Sequence, residues 1–366
     1  MINHPLVKKE WQFLKWMMLL YGCVFAFFAI LLNQSMVERK TYHLVQQHQE
    51  GIFMSQVYEL STVMVPTLLI GLMVMVGVLF IHDRNSHIGK FINSLPYTRK
   101  QYYRIKYLMG IITFTVPLVV FGGVLYLIRA SHLGWMSRVY LYSPYGELLK
   151  AQDSAGIVLV WLLFLWIIML FIYSFLMMVQ TLMGQNIVAS VVGGIVLLVP
   201  LFLGYVIPGN LSLLGIRDRM YRGEIIKWTQ LFLLGRPEQK LIGRVSTLDH
   251  YDFMTISSKG YWIYSYQHIP LYIAILVGGI IITALLGFYF IQHNDVEKNG
   301  EIALYPWVGK LLVVGVTACS LLLFPILIVL FTRIESPVLT LVAMVIGGIS
   351  GYFISSTSIE MTRKHG

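Results

Sequence analysis

Charge is what this sequence has least of. Asp, Glu, Lys and Arg make up 12% of its 366 residues, against about 25% in soluble domains. Apolar residues reach 57% and the mean hydropathy is +0.72. So little polar surface cannot cover a water-soluble fold. A disordered chain, which needs low hydrophobicity and high charge, is excluded as well. Cysteine is scarce too. Cys23 and Cys319 are the two, both inside apolar runs, too few for a disulfide framework or for the clustered ligands of a zinc site. They read as packing residues, and no metal site is expected. Also missing are a GxxxxGK[ST] phosphate loop, an HExxH helix, a GxSxG elbow and any pair of aspartates inside an apolar run. Hydrolysis of nucleotide by a P-loop is thereby excluded, and no catalytic residue is assigned. His82 and His293 stand at the ends of apolar runs, where a wet interface solvates them.

Long apolar runs are what the sequence has in abundance. About 20 apolar residues cross the hydrocarbon core of a bilayer. Stretches of that length without charge occur at 16–37, 60–82, 107–128, 260–294, 311–332 and 336–359. The 63 residues 154–216 carry no charge either, too long for one crossing. Thr181 to Asn186 (TLMGQN) holds a glycine and two amides, a helix stop and restart, which divides this stretch into spans near 155–179 and 187–206. The sequence therefore predicts an all-α polytopic membrane protein with about eight transmembrane helices. The first is expected to be retained rather than cleaved, since it lacks a small-residue cleavage site.

A net charge of +10 would suggest nucleic acid in a soluble protein. Here the basic residues sit mostly between apolar runs, so membrane orientation and anionic headgroups account for them, and no nucleic-acid partner is expected. Thirteen Lys and Arg lie on the side of the N-terminus, against six on the other once the loop 207–268 is set aside. Long loops obey the positive-inside rule poorly. Both termini are therefore expected in the cytoplasm and the loop 207–268 outside.

Within the spans, Ala189 and Gly193, Ser190 and Gly194, and Gly347 and Gly351 have the small-xxx-small spacing that lets helices approach closely. Pro66, Pro117, Pro200 and Pro325 each remove a backbone donor and favour a kink. No Asp, Glu, Lys or Arg falls in a span interior. Such residues usually persist in membranes for function, so their absence counts against an ion-coupled secondary transporter, although carbonyls and hydroxyls also hold sodium.

Three segments on the N-terminal side carry more information. Val7, Trp11, Leu14 and Met18 recur at helical spacing over residues 5–18, with Lys8, Gln12 and Lys15 on another face and Pro5 in the first turn. This predicts a short amphipathic helix in the headgroup plane. In the loop 82–106, Ile88, Phe91, Ile92 and Leu95 form one apolar stripe on a two-turn helix, ended by Pro96. Thr98 to Gln101 then reads as a capping box opening the next helix. Six basic residues surround that stripe, which needs either the membrane surface or a protein groove to cover it. The third segment, His293 to Lys310, is the most acidic inner loop through Asp295, Glu297 and Glu301.

This order of parts resembles the ABC-2-type transporter permeases. In that family an amphipathic "elbow" helix comes first, and the loop between spans two and three supplies the coupling helix. The exit of that loop often reads SLP-[VL]-[ST]-R-x-x-[IY], matched here by Ser94-Leu95-Pro96-Tyr97-Thr98-Arg99-Lys100-Gln101-Tyr102. Glu297 to Leu304 resembles a segment of a bacterial, mainly Firmicutes, eight-span branch. The resemblance covers residues 1–292 as a six-helix core and is sharp over 82–107. Residues 293–366 would add a cytoplasmic loop and two further helices. It implies a permease subunit in a bacterial cytoplasmic membrane, paired with a second copy or a paralogue and docked on separate ATPase subunits. ATP and Mg would be bound by those partners, with no cofactor on this chain. Ile88, Phe91, Ile92 and Leu95 would seat the coupling helix, and Arg84, Lys90 and Arg99 would orient it. The implied activity is export of a hydrophobic or amphipathic substrate such as a peptide, lipid or drug. The competing readings are an ion-coupled secondary transporter and a non-transporting scaffold or signalling partner of an ATPase.

Overall fold

The computed structural model describes residues 5–46, 52–81, 98–142, 146–215, 238–248, 256–265, 269–293, 301–334 and 336–365. Helix α1 (Pro5–Gln46) is followed by α2 (Phe53–Phe80), α3 (Arg99–Tyr142), the short α4 (Gly146–Gln152), α5 (Ala155–Leu182) and α6 (Asn186–Leu213). Strands β1 (Glu238–Leu248) and β2 (Ile256–Ser265) come next, then α7 (Ile269–Gln292), α8 (Pro306–Thr332) and α9 (Pro337–His365). Eight of these helices are long and apolar enough to cross a membrane. The membrane-crossing part is all-helical, as the apolar runs require, because only an element that satisfies its own backbone survives in lipid. The stop and restart within 154–216 falls where the sequence puts it, between Leu182 and Asn186. If all eight cross, α1 begins and α9 ends on the same face, here called the terminal face.

Several boundaries differ from the sequence reading. Residues 5–18 form no separate helix: α1 runs unbroken for 42 residues, about 63 Å. Helix α3 runs for 44 residues, about 66 Å. Both overshoot the runs 16–37 and 107–128 because they continue to pack on each other and on α2 beyond the apolar zone. On the far face, His132 Nε2 lies 3.1 Å from Asn33 Oδ1, Trp135 donates to His132 at 3.0 Å, and Arg39 pairs with Glu59 at 3.7 Å. The apolar run 260–294 begins before its helix does. Helix α7 starts at Ile269, and residues 260–265 belong to β2. The loop 207–268 likewise loses its first residues to α6, and it contains a β-hairpin that no sequence signal had suggested. Its strands pair antiparallel from Glu238↔Ser265 to Leu248↔Ile256, with a register shift between Leu241 and Gly243, the mark of a β-bulge.

Small residues set the helix spacing. On α6, the Ser190 and Gly194 face meets Gly77 and Met73 of α2, while Gly193 meets Leu176 and Val179 of α5. Two small-residue rows thus serve two different neighbours. Helices α8 and α9 pack chiefly on each other and lean on α6. A Cβ on Gly347 would lie 2.6 Å from the Ser320 carbonyl, and one on Gly351 2.7 Å from Ser320 Cβ. Asn210 of α6, 3% exposed, donates to the Leu322 carbonyl of α8 at 2.8 Å. It does so beside Pro325, which takes the backbone donor from the neighbouring Leu321 carbonyl. Gly351→Leu is expected to cost about 1–3 kcal/mol through overpacking, seen as a lower thermal midpoint in detergent. Gly315→Leu is the control, since a Cβ there meets nothing within 4 Å. Equal midpoints for the two variants would show that the seam does not hold the pair together.

Candidate functional site

The loop between α2 and α3 is held at both stems by one lysine. Lys106, on the second turn of α3, is 1% exposed. Its ammonium donates to the carbonyl of Leu79 in the last turn of α2, where helix carbonyls lack an internal partner. It sits 4.8 Å from the centre of the Phe80 ring and 4.7 Å from that of Tyr102. Glu10 of α1, itself 4% exposed, lies 3.8 Å away and accepts from the Tyr102 hydroxyl at 3.4 Å. A single buried ion pair therefore ties α1, α2 and α3 together directly under the loop. Lys106 is thus no loop charge, as its position next to the run 107–128 suggested. Its alkyl stem and head are both inside the bundle because α1 brings it a carboxylate.

Glu10 also turns α1. The side chains of its first turns that face the bundle are Val7, Glu10, Leu14, Met17 and Tyr21, with Leu14 and Tyr21 fully buried. Of the expected elbow stripe, Val7 and Met18 are half-buried, Leu14 is buried and Trp11 is 40% exposed. The capping box at the start of α3 is formed in both directions: Thr98 N–H donates to Gln101 Oε1 and Gln101 N–H to Thr98 Oγ1, each at 3.2 Å. Arg99 is exposed beside it. Arg84, Ile88, Lys90, Phe91, Ile92 and Leu95 lie outside the described residues.

Behind this anchor is a layer of aromatic rings. Tyr103 and Tyr107 of α3, Tyr173 of α5 and Phe288 of α7 pack with centroid separations between 4.9 and 6.3 Å. Gly110 and Gly287 leave room for the Tyr173 and Tyr103 hydroxyls. Tyr173 donates to the Lys106 and Tyr107 carbonyls at 3.1 and 3.2 Å, and the Tyr107 and Ser174 hydroxyls are 2.5 Å apart. Tyr173 has no exposed surface and Tyr103 1%, so the layer is a plug, not a lining.

Two more contacts on the terminal face connect this region to the last helices. Asn186, at the start of α6, donates to the Gly77 carbonyl of α2 at 2.6 Å. The α5–α6 turn then pairs with residues 301–304 through Gly184 N–H to Glu301 O at 3.1 Å and Leu304 N–H to Leu182 O at 3.0 Å. Of the acidic segment, Glu301 is thereby fixed by its backbone; Asp295 and Glu297 lie outside the described residues.

On the far face a third buried charged residue carries no signal in the sequence. Asp153, 1% exposed, accepts from the backbone N–H groups of Ile52, Phe53 and Met54 at 3.3, 3.2 and 2.7 Å and from the Tyr140 hydroxyl at 2.6 Å. It caps α2 from a distance of 100 residues, with the anion at the positive end of the helix dipole. Burial pushes its carboxyl above the usual carboxylate range, and these hydrogen bonds pull the other way. Arg129 holds the Asp153 carbonyl at 2.7 Å. Among the described residues, no group of three or more His, Cys, Asp or Glu is placed to hold a metal.

The geometry thus singles out α2, the loop and α3, pinned at Lys106 on one face and Asp153 on the other. The same segment is the one that compares with known proteins. Residues 50–143 match the family described as ABC-2 family transporter protein. No curated protein and no solved structure matches the chain.

Proposed function

We propose, from the match of residues 50–143 to the ABC-2 family transporter proteins, that the chain is the transmembrane subunit of an ATP-driven exporter. A permease of this family is a multi-pass membrane subunit and not the ATPase itself. On this reading the loop 82–98 docks a separate ATPase, which binds ATP and Mg. Ile88, Phe91, Ile92 and Leu95 seat the coupling helix, and Arg84, Lys90 and Arg99 orient it. A second copy or a paralogue completes the passage, and the terminal face is cytoplasmic in a bacterial plasma membrane. The cargo is hydrophobic or amphipathic, in keeping with a bundle whose charges sit at its ends.

The observation that carries the reading is the Lys106 anchor. Both stems of the loop are fixed to α1 by a buried ion pair, so a force on the loop moves α1, α2 and α3 as one body rather than fraying the helix ends. The tyrosine plug adds a second point: a path through the middle of this one bundle would have to displace it, which favours a passage between subunits.

The test is purification from native membranes in mild detergent, with mass spectrometry of the partners. A stoichiometric P-loop ATPase is expected, lost in the Phe91→Asp, Leu95→Asp double variant while the permease still elutes as a folded species. An ATPase retained by that variant would sink the docking assignment. Cargo flux by the chain alone, driven only by an ion gradient, would replace the reading with a secondary transporter.

A further inference from the structure

The face of α1 opposite Glu10 is uncovered and shaped. Between α1 and α3 runs a groove of about 790 Å³, lined on α1 by Lys15, Gly22, Ala26 and Ala29 and walled on α3 by Pro117 and Val120, among others. Its floor is close-packed: Phe25 stacks on Phe121 at 4.9 Å. Its opening is made by absent side chains, since a Cβ on Gly22 would meet nothing within 4 Å. Polarity is confined to one end. Lys15 is the single charged residue lining the groove, and its ammonium lies 5.6 Å from the Trp16 ring. Trp11 lines the groove one turn nearer the terminal face. Lys8 stands two turns from Lys15 and is also exposed, on the same helical face by its seven-residue spacing. From Lys15 to Ile30 the groove follows α1 for about 22 Å, roughly the depth of one leaflet with its headgroup zone.

A pair of lysines, a tryptophan at headgroup level and a dry apolar slot below them form the outline of an anionic diacyl lipid. We propose that the α1–α3 groove is a binding site for one anionic phospholipid, with its phosphate at Lys15 and Lys8 and an acyl chain along Gly22, Ala26 and Ala29. The choice of a lipid over a protein helix rests on charge. The groove offers one cation at its end, Lys15, with exposed Lys8 beyond it, and no carboxylate or amide along its lining, and no ion pair among the described residues uses Lys8 or Lys15. The assignment is independent of the ATPase reading, since it needs only that the helices lie in a bilayer.

The experiment uses the full chain in nanodiscs of equal phosphatidylglycerol and phosphatidylcholine, released into native mass spectrometry to read the lipid that stays bound. The expected result is one retained lipid per chain with phosphatidylglycerol in excess. Lys15→Gln lowers that excess about fivefold, the effect of one basic residue at an anionic surface. Ala26→Phe fills the slot and removes the retained lipid of either kind. Val120→Trp fills it from the opposite wall and covers the case in which Ala26→Phe does not fold. Equal retention of the two lipids by the wild type, or a ratio indifferent to Lys15→Gln, would overturn the proposal. So would an efficient Cys23–Cys23 disulfide in intact membranes of the Cys319→Ser variant, because Cys23 lines the groove and a second copy would then be its cover.

Discussion

Asp153→Ala is expected to destabilise the chain by on the order of 4 kcal/mol, from several buried donors left unpaired at once. The variant leaves the Ile52 amide, the first two amides of α2 and the Tyr140 hydroxyl without the carboxylate that accepts from them. A buried donor without a partner costs about 1–3 kcal/mol, and the loss is partial because water and small shifts recover some of it. Asp153→Asn is expected to fall between the two, since one side-chain oxygen is kept while an NH₂ group now faces backbone donors. Thermal unfolding in detergent measures the order of stability. Hydrogen exchange at Ile52, Phe53 and Met54 shows whether the loss begins at the start of α2. Protection there that is unchanged in Asp153→Ala would mean that the carboxylate is not the cap.

Lys106→Met is expected to cost about 3–5 kcal/mol, because it strands the Glu10 carboxylate inside the bundle. The Glu10→Gln, Lys106→Met double variant is expected to recover most of that loss, since a buried ion pair contributes little net stability against neutral groups of similar size. The pair therefore separates two roles. If it serves only to hold the fold, the double variant behaves as wild type in every respect. On the proposed function it regains stability and ATPase association but shows a weaker transport response, because the Leu79 carbonyl no longer has a charged tie to α1. Full transport by the double variant would confine Glu10 and Lys106 to a folding role.

How far the sequence carries is set by the range of each contact. The eight spans, the TLMGQN turn, the capping box at Thr98 and the glycine seam at Gly347 and Gly351 were readable because each is written in one continuous stretch of chain. Asp153 and the Glu10–Lys106 pair were not. Their partners lie about 100 residues away in the chain, and next to an apolar run a buried lysine looks the same as one in a loop. The β-hairpin stayed hidden in a polar, aromatic segment that a span-counting argument treats only as spacing. Of the apolar stripe on residues 5–18, Leu14 is buried while Trp11 is exposed, because the side of α1 that meets the core carries Glu10. No pattern on α1 alone could show that choice.

The unequal division of α3 has a mechanical consequence. At Gly110 the helix lies against α5 with no room for a side chain, which would collide with Tyr173. Taken as a fulcrum, that contact would lie about 17 Å from Arg99 and about 48 Å from Tyr142 along the rod. A displacement applied at the loop end would arrive at the far end roughly threefold larger, through Tyr140 and Arg129 onto Asp153. The carboxylate that caps α2 would then stand at the end of the long arm, held there by Tyr140 and Arg129.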